Sequence, residues 1–308
     1  MPVPDLRGVT PAIVTPFDED GEVDYDSLVS YAAWLKTIPG VTGIVTNAHA
    51  GEGTSLSDDE RTQIIRVIKK EVPDLHIVAG VGGEGTRVVA RESERAAEAG
   101  ADSLLVFPPL ASLRFGYQDG ATQDRYRAVW NAASLPITLF NFPNVSLATY
   151  QLPLLLELCA MAGVFAIKDG ARDMIRWDVE TPIIREHFPE IQMLTCQDEF
   201  LLHTMWESDG ALVGYAALIP EMMVELLENA KAHDYDAAKA TYDRMRPITR
   251  AVYHRASHIE STTAMKLGLV ARGIIRTATV RSPLMPLEAG AAENIRSTLQ
   301  AAGVSLAS

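Results

Sequence analysis

His76-Ile77-Val78-Ala79-Gly80-Val81-Gly82, the segment from Thr86 to Gly100, and Ser103-Leu104-Leu105-Val106-Phe107-Pro108 together decide the fold. The first and third pieces are short apolar runs bounded by turn residues, which read as strands buried on both faces. Between them the segment from Thr86 has helical periodicity and stops at Gly100, a residue able to take the left-handed conformation that closes a helix. Strand, helix, strand in that order is one βα unit of a parallel sheet.

Working outward, the same alternation fills most of the chain. Candidate strands cover residues 8–17, 43–48, 76–82, 103–108, 137–143, 164–169, 192–198 and 210–217, eight in all, with amphipathic helices between them. Ser57-Asp58-Asp59-Glu60 is a capping box: hydroxyl and carboxylate can satisfy orphan amides before the apolar face of Ile64, Ile65, Val67 and Ile68. Eight largely apolar strands favour a closed α/β barrel, the (β/α)8 TIM architecture, over an open doubly wound sheet. Residues 220–232, 235–253, 261–273 and 286–302 then continue as helices. One of them completes the barrel, so the expected division is a barrel over 1–234 and a C-terminal helical extension over 235–308. The chain of 308 residues suits either this arrangement or two domains of about 150 residues.

With 27 Lys plus Arg against 40 Asp plus Glu, the net charge of −13 repels nucleic-acid backbones and anionic lipid surfaces. Cys159 and Cys196 are too few for a disulfide framework or a four-thiolate zinc site, and both are expected reduced in core positions. No segment approaches the ~20 apolar residues of a membrane span and the N-terminus does not read as a signal peptide, so a cytoplasmic location is expected. His254 and His258 lack a third ligand of obvious register, and no metal is assigned. Gly80 to Gly85 matches GxGxxG but begins inside a strand and lacks a P-loop ending, so it reads as a strand-to-helix turn. No G-x-S-x-G elbow occurs.

In a barrel the C-terminal ends of the strands line the active site. They carry Thr15, Asn47 to His49, Gly82, Phe107, Asn141, Lys168, Asp169, Gln197, Asp198 and Tyr215. Val164-Phe165-Ala166-Ile167-Lys168 is the sharpest of these, because an ammonium group ends a strand otherwise fit for burial. Desolvation favours the neutral amine, the form that attacks a carbonyl to give a Schiff base. A lysine snorkelling to solvent or paired with Asp169 is the structural alternative. His49 ends the second strand, where it could transfer protons or simply bond a neighbouring loop. The Ala50-Gly51-Glu52 turn offers successive N–H groups to a carboxylate, although turns of this composition are common.

Taken together these residues resemble the family of class I aldolases and lyases that includes dihydrodipicolinate synthase and N-acetylneuraminate lyase. The likeness spans nearly the whole chain. It is carried by residues 8–17, Gly51-Glu52 with Leu56-Ser57 and Glu60, Ala79 to Gly82, Ala99 to Asp102, Phe140-Asn141-Phe142-Pro143, Ile167-Lys168-Asp169 and Arg281 to Leu284. The resemblance implies a (β/α)8 barrel with a C-terminal helical region, a homodimer or homotetramer, no cofactor, and a lysine imine formed with a small 2-oxo acid. Lys168 matches that lysine, the N–H groups of Ala50 and Gly51 would hold the substrate carboxylate, and Leu212 falls where the eighth strand faces the keto acid.

Three departures stand out. Phe140 occupies the family's usual tyrosine position before Asn141, His49 stands at the first threonine of the GTTGE turn, and Leu110 aligns with the relay tyrosine after the fourth strand. The family's aldehyde-binding arginine aligns near Val145. The expectation is therefore a pyruvate-dependent aldolase or hydratase-aldolase other than dihydrodipicolinate synthase, with His49 as general acid/base and an apolar lining from Phe107, Leu110, Phe140 and Phe142. Two alternatives share the barrel: a dehydratase of a 2-oxo-3-deoxy sugar acid, and a catalytically idle barrel that binds a small carboxylate. A phosphate-binding isomerase is disfavoured by the absence of a phosphate loop after the last two strands.

Overall fold

The computed structural model describes residues 3–307. Seven parallel strands form one curled sheet in sequential order: β1 (Ile44–Thr46), β2 (Ile77–Val81), β3 (Ser103–Val106), β4 (Ile137–Asn141), β5 (Val164–Asp169), β6 (Gln192–Thr195) and β7 (Gly210–Ala211). Each pairs in parallel with the next. Twelve α-helices accompany them among the described residues. Strands of this kind are apolar on both faces because side chains fill the interior on one side and helices cover the other.

The first expected strand, residues 8–17, forms isolated bridges instead of a continuous ladder. Val9 bridges Val41 and Ala211, and Ala12 bridges Val45, so this segment touches both edges of the sheet. Thr10 N–H donates to Ala211 and Ala12 N–H to Val213, while Ile13 N–H donates to Val45. Pro11 and Pro16 interrupt the run, since neither has an N–H to donate. At the far end, residues 210–217 give only the short β7, after which Tyr215–Ala217 tightens into a 3₁₀ turn. Tyr215 therefore leaves the strand mouth: it is fully buried and its hydroxyl donates to the Met245 carbonyl at 3.0 Å.

The helix starts follow their local chemistry. Ser57 Oγ accepts from Glu60 N–H, and Glu60 accepts in return from Ser57 N–H at 2.8 Å. Helix Thr86–Ala99 ends at Gly100 with φ 102°. Residues 286–290 of the last expected helix are not helical, and the helix begins at Ala291. None of the described helices is long and apolar enough to cross a membrane.

Helix Glu260–Ala271 is joined to the strand mouth by a fully buried ion pair, Lys266 Nζ to Glu52 at 2.5 Å. Lys266 also donates to the Thr279 carbonyl at 2.7 Å and sits 4.1 Å from the centre of the Phe17 ring. The backbone N–H of Arg281 donates to the other oxygen of Glu52 at 2.8 Å, and the Arg281 guanidinium pairs with Glu60 at 2.6 Å. Removing one partner of such a pair leaves the other charge buried without compensation. Lys266→Met should accordingly lower unfolding stability by about 3–5 kcal/mol, read from the urea midpoint, and a cost below about 1 kcal/mol would contradict this account.

Candidate active site

Successive residues of a strand point to opposite faces, and this parity builds the site. In the β4–β5 register Phe140 lies beside Lys168 and Asn141 beside Asp169. Phe140 and Lys168 turn into the mouth of the sheet, and the Lys168 ammonium rests 4.1 Å from the Phe140 ring centre. Asp169 turns away and accepts from Asn141 at 2.9 Å, Gln197 at 2.5 Å and the Ala171 N–H at 3.2 Å. Burial raises the pKa of its carboxyl, against the pull of the Asn141 and Ala171 donors. Lys168, only 5% exposed, has no carboxylate partner among the described residues. The pairing with Asp169 weighed from sequence is thus not formed.

Above Lys168 opens a cavity of about 370 Å³. One wall is aromatic. His49 lies 4.7 Å from Phe107 and 5.8 Å from Phe142, while Phe140 meets Phe107 at 5.3 Å and Phe142 at 4.6 Å between ring centres. The other wall is polar: Arg172 Nη2 reaches Asp198 at 3.3 Å and His258 Nε2 at 3.4 Å. Arg172 has φ 54°, a conformation rare for a residue with a side chain, and its N–H donates to Gln197 at 2.8 Å. Asp198 Oδ1 is buried with no hydrogen-bond partner.

The expected residues divide between cavity and surroundings. His49, Ala50, Phe140 and Lys168 line it. Gly51 lies behind the lining, its N–H donating to Ala48 at 3.1 Å and its carbonyl accepting from the Thr15 hydroxyl at 2.7 Å. An added Cβ at Gly51 would stand 3.0 Å from the Ile13 carbonyl. Asn141 and Leu212 are completely buried outside the lining. Leu110 is 55% exposed at the start of helix Leu110–Phe115, with its N–H donating to Glu84 at 2.7 Å. Val145 is 99% exposed and also outside the cavity.

Sequence reasoning gave no site role to Arg172, Asp198 or His258, all of which line the cavity. Asp198 was visible as a strand-end residue, and Arg172 follows Lys168 closely in the β5 loop. His258 had no such signal, because the segment before helix Glu260–Ala271 reaches the mouth only through tertiary packing.

Burial and the nearby Lys168 charge bring the His49 pKa down to about 4, so the ring is neutral at pH 7. His49 is exposed at its outer edge, and its ring packs against Phe107 and Phe142 at the cavity wall, which is the source of the desolvation. Burial pushes Asp198 up to about 6 despite Arg172, and pushes the Cys196 thiol up to about 11, leaving it a poor nucleophile. No group of three or more His, Cys, Asp or Glu among the described residues is arranged to hold a metal ion.

A family model described as the dihydrodipicolinate synthetase family matches residues 5–302. The chain belongs to that family. This dihydrodipicolinate synthetase family member is 28% identical over 295 residues to a 4-hydroxy-tetrahydrodipicolinate synthase of Natronomonas pharaonis, covering 96% of this chain and 97% of that one. A second, from Haloarcula marismortui, is 29% identical with coverages of 96% and 93%. Among solved structures it resembles the chloride-inhibited dihydrodipicolinate synthase of Acinetobacter baumannii complexed with pyruvate, with a TM-score of 0.85 and 27% identity over 97% of this chain and 100% of that one. Members of the family are lyases of the aldolase type.

A neutral His49 has a consequence for stability. Its folded pKa lies below the usual 6.5, so unfolding takes up a proton between pH 6.5 and about 4, and the stabilisation present above that window is lost as pH falls through it. Relative to His49→Gln, the wild type should lose about 1 kcal/mol between pH 7 and pH 5, the figure allowing for the ring's access to water in the cavity. Parallel urea curves for the two proteins would contradict the assignment.

Proposed function

We propose that this protein is a lysine Schiff-base lyase acting on a 2-oxo acid, of the pyruvate-dependent aldolase or hydratase-aldolase type, with Lys168 as the imine-forming residue. The observation that carries the reading is an ammonium group without a counter-charge at the floor of a cavity. Neutral Lys168 attacks the ketone carbon, and loss of water leaves a protonated imine. As the substrate hydroxyl gives its proton to a base, the carbon–carbon bond breaks, its electron pair passes to the imine to give an enamine, and the aldehyde leaves; the enamine carbon then takes up a proton, and hydrolysis of the resulting imine returns the amine and releases the 2-oxo acid. No cofactor enters this sequence.

His49 is the proton-transfer group in this scheme: its imidazole is neutral at pH 7 and keeps one ring nitrogen free, a weak base while burial and the Lys168 charge hold its pKa at about 4. Ala50 and Gly51 belong to the turn that holds the substrate carboxylate; Gly51 N–H would share its Ala48 bond or exchange it on binding. Phe107, Phe140 and Phe142 favour a hydrophobic or aromatic substituent. The exposed position of Val145, where the family's aldehyde-binding arginine aligns, supports a reaction other than dihydrodipicolinate synthesis. The same reading includes residues 8–17 as the segment closing an eight-stranded barrel over 1–234, residues 235–308 as its helical extension, and assembly as a homodimer or homotetramer in the cytoplasm.

Borohydride added with pyruvate should attach one reduced pyruvate unit at Lys168, located by peptide mass mapping, and nothing in Lys168→Arg. An unmodified wild-type lysine would favour an idle carboxylate-binding barrel. His49→Ala should reduce turnover of a responsive 2-oxo acid by about 100-fold while trapping at Lys168 persists. Unchanged turnover would remove His49 from the mechanism. A product assay separates aldol cleavage, which releases pyruvate, from dehydration of a 2-oxo-3-deoxy sugar acid, which does not.

A further inference from the structure

We propose that the Glu52–Lys266 pair is a latch that positions the carboxylate-holding turn, making Lys266 a positioning residue of the active site; this rests on the reading of Ala50 and Gly51 as that turn. Glu52 closes the turn with φ 53°, in the left-handed region that a residue with a Cβ adopts at a cost. Its N–H donates to the His49 carbonyl at 3.0 Å, and the N–H groups of Gly51 and Gly53 converge on the Ala48 carbonyl at 3.1 and 3.0 Å. The direction of the Ala50 and Gly51 amides is therefore tied to the conformation of Glu52.

Both oxygens of the Glu52 carboxylate are fixed from the C-terminal part of the chain, one by Lys266 at 2.5 Å and the other by Arg281 N–H at 2.8 Å. Glu52 borders the cavity, but its side chain and that of Lys266 have zero exposure, so what Glu52 shows to the cavity is backbone and neither head group meets substrate. The pair acts only through the backbone it holds. Ala50 and Lys168 line the same cavity, which makes a shift of the turn felt as a loss of carboxylate affinity rather than of lysine reactivity. Burial draws the Lys266 pKa down to about 8 against the pull of Glu52, evidence of how dry this junction is.

The test separates holding a carboxylate from forming an imine. Glu52→Gln preserves shape while removing the charge, and Glu52→Gln with Lys266→Met removes both charges and leaves no lone buried ion. In either variant the pyruvate dissociation constant from calorimetry should rise at least about tenfold, whereas borohydride trapping of acetaldehyde, a carbonyl without a carboxylate, should stay within about twofold of wild type. Unchanged pyruvate affinity in both variants overturns the latch, and so does an equal loss for pyruvate and acetaldehyde. A double variant that fails to fold leaves the single variant to decide by the same criteria. If wild type binds pyruvate yet traps neither carbonyl, the imine reading falls and the calorimetric ratio alone judges the latch. Wild type that neither binds nor traps pyruvate removes both.

Discussion

The parity of a single strand governs this site. Lys168 and Asp169 are adjacent in sequence, yet the pleat sends them to opposite faces of the sheet, and Asp169 is occupied by Asn141 and Gln197. The lysine is left with an aromatic ring instead of a carboxylate. A ring face attracts a cation more weakly than a buried carboxylate does and gives it nowhere to deliver a proton. The strand therefore presents an amine that is enclosed and has no carboxylate partner among the described residues; losing its proton makes it the nucleophile that a carbonyl requires.

Around that amine the cavity is polarised. Phe107, Phe140 and Phe142 form one side and keep His49 neutral, while Arg172, Asp198 and His258 gather on the other. The guanidinium of this cavity comes from the β5 loop, whereas the position aligned with the family's usual arginine, Val145, projects away. The Lys168 amine thus faces an apolar surface and an ionic cluster across one cavity. Asp198, with one oxygen unpartnered and its pKa raised by burial, shows that the ionic side is incompletely satisfied by the protein alone.

Much of this was legible in the sequence because it depends on local rules. The alternation of short apolar runs and capped helices located six strands to within a few residues and the start of the seventh at Gly210, and the isolated lysine marked the floor of the cavity. Residues 8–17 were harder, since an apolar run does not reveal that two prolines break its ladder into bridges. Asn141 and Leu110 were chosen by alignment to a motif, but whether a side chain faces the cavity depends on parity and loop path. Arg172 and His258 were invisible for a different reason: a rare backbone conformation and a long-range packing contact leave no periodic trace.

The bond between Glu52 and Lys266 joins residues separated by 214 positions. During synthesis the strands and Lys168 leave the ribosome well before Lys266 and Arg281 do, so for that interval the Glu52 carboxylate has neither of these partners. A chain that stops short of helix Glu260–Ala271 therefore lacks the cation that compensates Glu52 in the mouth of the sheet.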